Sequence, residues 1–316
     1  MIQDVGADSC PPLPGVTITS TAPLRVTPEG GKTRTYRGSL IVTAKDGRLT
    51  LVNALPLEDY LRGVVPAEVP SGFAPEALRA QAIAARTYAL ASLGKHQAAG
   101  YDLCDATHCQ AYLGVGEEDS RVDAAIRDTA GLIVTYGGKP ISAVYHDTCG
   151  GCTAGNEEVW PGGTPLPYLR PVPDTCGVPA LCAASPRARW TRRIPQDQLV
   201  SALASVGVTA PLKLISPEGC EDGTRPDRYR ITGERGEWVV PASAMRVLLN
   251  QGLGPDTLPS ADFIALLDGD SVAITGWGSG HGVGLCQWGA NALAKSGKTA
   301  AEILAHYYTG ASVIQR

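Results

Sequence analysis

No apolar stretch in this chain approaches the ~20 residues that a bilayer-spanning helix needs. A basic surplus is missing too. The formal charge is -4 and the pI is near 5.8, which argues against a nucleic-acid partner gripped by a positive surface. Residues 1–10 lack the basic and apolar regions of a signal peptide, and no internal repeat or low-complexity tract is evident. The 316 residues, 44% of them hydrophobic, suffice for one large domain or two smaller ones.

Cysteine is well represented. Nine of them occur, at 10, 104, 109, 149, 152, 176, 182, 220 and 286. An odd count leaves one thiol over if all pair, whereas a metal site taking two or three relaxes the count. Cys176 and Cys182, in a Pro-rich segment, read most simply as a disulfide made in an oxidising compartment. We therefore expect an exported protein, periplasmic or wall-associated, whose signal or anchor is absent from this chain.

The patterning is that of an α+β fold. Residues 36–53 read as a hairpin, Leu40 and Val42 alternating before Asp46-Gly47 and Leu49 and Leu51 after it. A second hairpin turns at Gly137-Gly138, and its return strand, Ile141 to His146, delivers His146 to a glycine-rich turn. Residues 161–186 form a long Pro/Gly-rich loop. Residues 187–262 form a separate α+β pattern, with a helix near 196–206 and a strand pair from Tyr229 to Val240. We expect an N-terminal extension over 1–35, a main domain over 36–186 and 263–316, and a smaller inserted or flanking lobe over 187–262. A cleft between the lobes suits an extended polymer.

The centre of the main domain is an alanine-rich helix. Pro75 and Glu76 suit a first helical turn, and no glycine or proline follows until Gly94. Leu78, Ala82, Ala85 and Ala89 form a stripe that lets a neighbouring backbone approach closely, so the helix is expected to be buried. Directly ahead lies Val65-Pro66-Ala67-Glu68-Val69-Pro70. Two prolines restrict this segment to a turn able to aim one side chain, and Glu68 is that side chain. Its structural alternative is an acidic residue favoured by the helix dipole.

Toward the C-terminus, Gly276-Trp-Gly-Ser-Gly-His281-Gly-Val-Gly-Leu-Cys286-Gln287-Trp288 packs glycines around one histidine. Such a segment permits tight turns and close approach to a ligand, although a histidine there can equally be a hydrogen-bonding strut. The tryptophans favour a sugar-binding wall. Thr299 and Glu302 make a capping box for a helix carrying His306, which reads as structural.

Cys104-Asp-Ala-Thr-His108-Cys109, with His96 upstream, offers two sulfur and two nitrogen ligands for a structural zinc. Adjacent ligands at 108 and 109 are awkward. The Cys149/Cys152 pair and Cys286 can replace either histidine or form disulfides, and Cys104 can pair with Cys109.

Five segments together resemble one family: Leu57-Glu-Asp-Tyr-Leu-Arg-Gly-Val-Val-Pro-Ala-Glu-Val-Pro, Glu76-Ala-Leu-Arg-Ala-Gln-Ala-Ile-Ala-Ala-Arg-Thr-Tyr, Thr107-His-Cys-Gln-Ala-Tyr, Ala143-Val-Tyr-His-Asp-Thr-Cys-Gly-Gly and Gly280-His-Gly-Val-Gly-Leu-Cys-Gln-Trp-Gly-Ala. They are similar to the signature of the stage II sporulation protein D and amidase-enhancer family. That resemblance implies cell-wall chemistry, namely a lytic transglycosylase cutting peptide-stripped glycan strands of peptidoglycan. The family's catalytic glutamate falls on Glu68. Val69 stands where methionine is usual and keeps the position apolar. Some members carry a zinc at a cysteine and histidine cluster.

Arg86, Tyr88, Gln110, Tyr112, His146, His281, Gln287 and Trp288 are expected to line the glycan cleft. Val65, Val69 and Phe73 are expected to give Glu68 an apolar setting. Asp59 and Asp147 are candidates for a second carboxylate, Asp59 reading first as a solvated or capping residue. Two other functions stay open. One is a noncatalytic activator that binds peptidoglycan or a cell-wall amidase, and the other is a thiol or zinc hydrolase using the Cys/His cluster.

Overall fold

Three short strands come first in the computed structural model: β1 (Val16–Thr19), β2 (Leu24–Val26) and β3 (Arg34–Tyr36). The structure describes residues 15–45, 48–160, 162–174, 180–219 and 225–316, so Cys10, Cys176, Cys220 and the Asp46-Gly47 turn lie outside the described residues. The first hairpin forms as its alternation predicts, β4 (Ser39–Lys45) against β5 (Arg48–Ala54). β1 pairs antiparallel with β4, Val16 opposite Val42, so the segment expected as an extension contributes an edge strand. Its backbone donors and acceptors find partners in β4.

Helix α1 (Leu57–Glu68) corrects the reading of residues 65–70. Pro66 sits inside its last turn, and Glu68 is its final residue rather than part of a proline-braced turn. A proline this late removes one amide from the ladder, and burial of Leu61, Val64 and Val65 offsets the loss. Val69 leaves the helix in an extended conformation before Pro70. Gly63 is required within it, because a Cβ there would lie 2.6 Å from the Tyr112 ring.

Pro75 opens α2 (Pro75–Ala91) as expected, and Gly94, with φ of 76°, follows its end. Burial goes further than the predicted stripe. Twelve of its residues are buried, including Gln81, Arg86 and Tyr88. α3 (Ser120–Asp128), capped by the Asp119 side chain, packs against α1 and α2.

The chain divides into two compact units, one running to Ile133 and including Gln315–Arg316, the other Val134–Ile314. This division differs from the boundaries expected at 186 and 262. The second unit contains most of the hairpin β6 (Leu132–Tyr136) and β7 (Lys139–Pro140), whose return strand is interrupted. Ser142 N–H goes to the Tyr168 hydroxyl and Val144 N–H to Ser142 O, so the hairpin ladder stops there and β8 (Tyr145–His146) joins a different sheet.

Beyond α4 (Asn156–Val159) lies the smaller α+β core of this unit. It contains β9 (Arg189–Pro195), α5 (Gln196–Ala202), β10 (Leu212–Glu218), β11 (Arg228–Gly233), β12 (Gly236–Pro241), α6 (Ala242–Leu253), β13 (Phe263–Asp268) and β14 (Ser271–Trp277). The sheets are β10-β11-β12 and β13-β14-β9, both antiparallel. Because β9 pairs with β14, and Phe263, Val272 and Ile274 share a core with Tyr229, Ile231 and Met245, this lobe continues past 262 to the glycine-rich turn. Tyr229 stacks on Phe263 at 4.1 Å.

The unit ends with β15 (Leu285–Cys286), parallel to β8, then α7 (Gln287–Lys295), α8 (Ala300–Tyr307) and most of β16 (Ser312–Gln315). The expected capping box forms at α8, both Thr299 and Glu302 taking their roles. Among the described residues no helix is long and apolar enough to cross a membrane.

Candidate active site

Glu68 ends α1, half-buried, with one carboxylate oxygen accepting the Ala111 N–H at 2.7 Å. Ala111 lies on the segment 104–112 that follows α2, so a backbone donor from a distant part of the chain sets the carboxyl's orientation. Val65, Val69 and Phe73, the expected apolar setting, are all buried. Beside this, the Tyr60 hydroxyl donates to Gln110 Oε1 at 3.2 Å, and Gln110 Nε2 donates to Ala85 O. Burial above all raises the Tyr60 pKa, with the Glu68 charge among the lesser causes, so Tyr60 remains a neutral hydroxyl near the carboxylate.

Four expected cleft residues of this unit are buried in its frame. Arg86, 1% exposed, forks onto Glu58 at 2.8 and 2.7 Å and also donates to Leu132 O and Ile126 O. Tyr88 accepts from Lys95 Nζ, and Tyr112, stacked obliquely on Tyr60 at 5.1 Å, donates to Asn53. Gln110 is buried completely. A glycan cannot reach side chains this enclosed, so their place is beneath the site rather than on a cleft wall. Asp59 is paired with Arg62 at the surface.

His96, Cys104, His108 and Cys109 converge, their ligand atoms lying within 4.8 Å of one another. His96 Nε2 is 3.3 Å from Cys109 Sγ, and His108 Nδ1 is 3.7 Å from Cys104 Sγ and 3.6 Å from Cys109 Sγ. The adjacency of 108 and 109 is accommodated because His108 turns its nearer ring nitrogen inward. Cys104 and Cys109 are free thiols. Two sulfurs and two imidazole nitrogens at this spacing match the donor set of a closed tetrahedral zinc site.

The second unit holds His146, His281, Gln287 and Trp288. His281 Nε2 donates to Tyr145 O at 2.9 Å and so ties the turn to β8, while Nδ1 accepts the Val283 N–H at 3.1 Å and closes the turn on itself. Burial pulls its pKa down to about 4. His146 is buried with Nδ1 against Val283 O and with Nε2 unpartnered among the described residues, and burial lowers its pKa strongly. Gln287 is buried at the start of α7, and the Trp288 N–H reaches Asp147 O. Asp147 itself has its pKa raised by burial. Cys182 is a free thiol among the described residues, and its expected partner Cys176 lies outside them.

The sequence analysis missed two features. One is a shallow groove in the second unit lined by Glu158, Trp160, Arg225, Arg246 and His281. Trp160 is 43% exposed and lies over His281 at 5.2 Å, the kind of flat face a sugar ring covers. The other is Gln81, a polar residue within the alanine run, whose buried amide has no partner at either end among the described residues. An amide set within the alanine run was its only signal.

The Stage II sporulation protein family model matches residues 45–136, a span holding Glu68, α2 and the Cys/His cluster. Stage II sporulation protein D of Bacillus subtilis is 30% identical over 283 residues, covering 83% of this chain and 75% of that protein. The chain belongs to the stage II sporulation protein D family. An uncharacterized protein of Brachyspira hyodysenteriae is 34% identical over 281 residues, 88% of this chain and 72% of that protein. The amidase enhancer of Bacillus subtilis is 28% identical over 304 residues, 80% of this chain and 40% of that protein. All three alignments extend well beyond the span of the family model, so the likeness of this family member takes in much of the second unit as well.

Proposed function

We propose that this stage II sporulation protein D relative is a peptidoglycan lytic transglycosylase with Glu68 as its acid and base. The observation that carries the reading is the anchored Glu68 carboxyl, held by the Ala111 N–H at the end of α1. A group that first gives and then takes a proton at one place needs one orientation, and a backbone donor supplies it without a mobile side chain.

As oxocarbenium character develops at the anomeric carbon, protonated Glu68 gives its proton to the glycosidic oxygen and the leaving sugar departs. Glu68, now ionised, takes the proton of the muramyl 6-hydroxyl. That oxygen attacks the anomeric carbon and closes a 1,6-anhydro ring. No water enters. Tyr60 stands by as a neutral hydroxyl, and Gln110 and Arg86 hold the frame. His96, Cys104, His108 and Cys109 would hold a structural zinc, which would fix the loop from which Ala111 points.

The substrate is peptide-stripped glycan, and the place of action lies outside the cytoplasmic membrane. Trp160 and the groove beside His281, with Trp288 in the same unit, supply carbohydrate-binding surface. The likeness to an amidase enhancer favours a second reading, in which the chain binds peptidoglycan and activates a cell-wall amidase without cutting glycan. Incubation with peptide-free glycan strands, followed by mass detection of the new ends, decides between them. Anhydro-muramyl ends support the transglycosylase. Tight binding with no cleavage of any glycan preparation supports the activator.

A further inference from the structure

A second metal-binding constellation lies wholly within the second unit. Cys149, Asp174, Cys182 and Cys286 are all buried, and their ligand atoms lie within 4.8 Å of one another. They come from four separate places: the turn after β8, the loop at 174, the short 3-10 helix Leu181–Ala184 and the N-cap of α7. We propose that these four residues bind a structural zinc ion through three thiolates and one carboxylate oxygen.

Distances favour a metal over a chance meeting of thiols. A tetrahedral zinc with Zn–S near ~2.3 Å places two sulfurs about 3.75 Å apart. Cys149 and Cys182 Sγ are 3.7 Å apart, and Asp174 Oδ2 is 3.0 Å from Cys149 Sγ. Backbone amides are aimed at the sulfurs, as thiolates require. Cys286 Sγ accepts from Cys149 N at 3.3 Å and Gly289 N at 3.4 Å, and Cys149 Sγ accepts from Gly151 N at 3.4 Å.

The surroundings complete the site. Tyr307 donates to Asp174 Oδ1 at 2.6 Å, leaving Oδ2 toward the sulfurs, and His306 Nε2 is 3.7 Å from the same Oδ1. Such outer partners orient a ligating carboxylate. Gly289 lets α7 come this close, since a Cβ there would lie 2.4 Å from Asp174 Oδ2. Asp174 is fully enclosed, and burying a carboxylate among sulfurs is costly unless a cation joins it. A disulfide between any two cysteines would leave the third and the carboxylate unexplained. With zinc bound, the ion would pin the turns bearing His146 and His281, because Cys286 of β15 lies opposite His146 of β8.

The test uses the whole chain carrying Cys104→Ser and Cys109→Ser, which disables the first cluster. Purified without chelators and reduced, it should retain about one zinc by plasma mass spectrometry, and X-ray absorption should give three sulfurs and one oxygen. Asp174→Asn in that background should weaken zinc at least ten-fold in chelator competition, and Cys286→Ser should abolish retention. Should those variants fail to fold, the unmodified chain should carry about two zinc ions averaging about 2.5 sulfurs each. Metal-free protein in the first background, a single ion with two sulfurs and two nitrogens in the unmodified chain, or a mapped Cys149–Cys182 or Cys149–Cys286 disulfide would overturn the proposal.

Discussion

The Ala111 N–H donates to Glu68 Oε1 at 2.7 Å, and Ala111 lies two residues beyond Cys109. One short segment therefore contributes both a sulfur to the first Cys/His cluster and the donor that orients the candidate catalytic carboxyl. Order in the cluster is thereby coupled to the position of Glu68.

Replacing that carboxyl while keeping its shape isolates its chemistry. Glu68→Gln can still accept from Ala111, so the melting temperature should move by no more than a few degrees. Glycan cleavage should fall by roughly 10²–10⁴-fold, the usual contribution of a general acid. Turnover near that of the unaltered protein would remove Glu68 from the mechanism.

Product chemistry tests the single-carboxylate scheme without any mutation. Every cut should end in a 1,6-anhydro-muramyl residue, and reaction in heavy-oxygen water should leave the products unlabelled. Labelled reducing ends would mean hydrolysis and a second acid. Asp147, its pKa raised by burial, would then come before the Arg62-paired Asp59.

Metal content should follow the first cluster as well. Cys104→Ser or Cys109→Ser should lower zinc by about one ion per chain and slow glycan cleavage, chiefly through kcat, because the loop bearing Ala111 loosens. A mapped Cys104–Cys109 disulfide with undiminished cleavage would establish the covalent alternative.

The Arg86–Glu58 fork ties α2 to α1, the helix that ends in Glu68. Glu58→Gln should lower stability by about 1–3 kcal/mol in urea unfolding, less than for a fully buried pair because Glu58 is 42% exposed. Cleavage should fall with it even at temperatures where the variant is folded. Unchanged midpoints would make the fork dispensable.

Acid should weaken the second unit through its histidines. In the fold the pKa of His281 is about 4, against about 6.5 unfolded, so between those values the unfolded chain binds more protons. Stability should be complete above about pH 6.5 and fall by up to about 3 kcal/mol as the pH drops to 4, with His146 acting in the same direction. His281→Gln should flatten that slope. An identical pH dependence in both proteins would show that folding leaves the His281 pKa where it stands in the unfolded chain.

Local patterning carried much of this protein by itself. Period-two alternation makes the β4–β5 hairpin, Pro75 and the unbroken alanine run make α2, and Thr299 with Glu302 caps α8, since each rests on contacts between near neighbours. Glu68 was singled out by its flanking residues and its motif. Pro66 misled because helix termination depends on what is buried around it: Val64 and Val65 pack well enough to keep the proline in the last turn.

The rest belonged to tertiary structure. Arg86 and Gln110 look like ligand-binding residues along the chain, yet whether a polar side chain faces solvent or spans Glu58 or Tyr60 depends on elements far away in sequence. Cysteine spacing made the 96–109 cluster visible because its ligands fall within one short stretch. The Cys149, Asp174, Cys182 and Cys286 cluster draws on residues up to 137 positions apart, and only the packing of α7 through Gly289 against Asp174 brings them together.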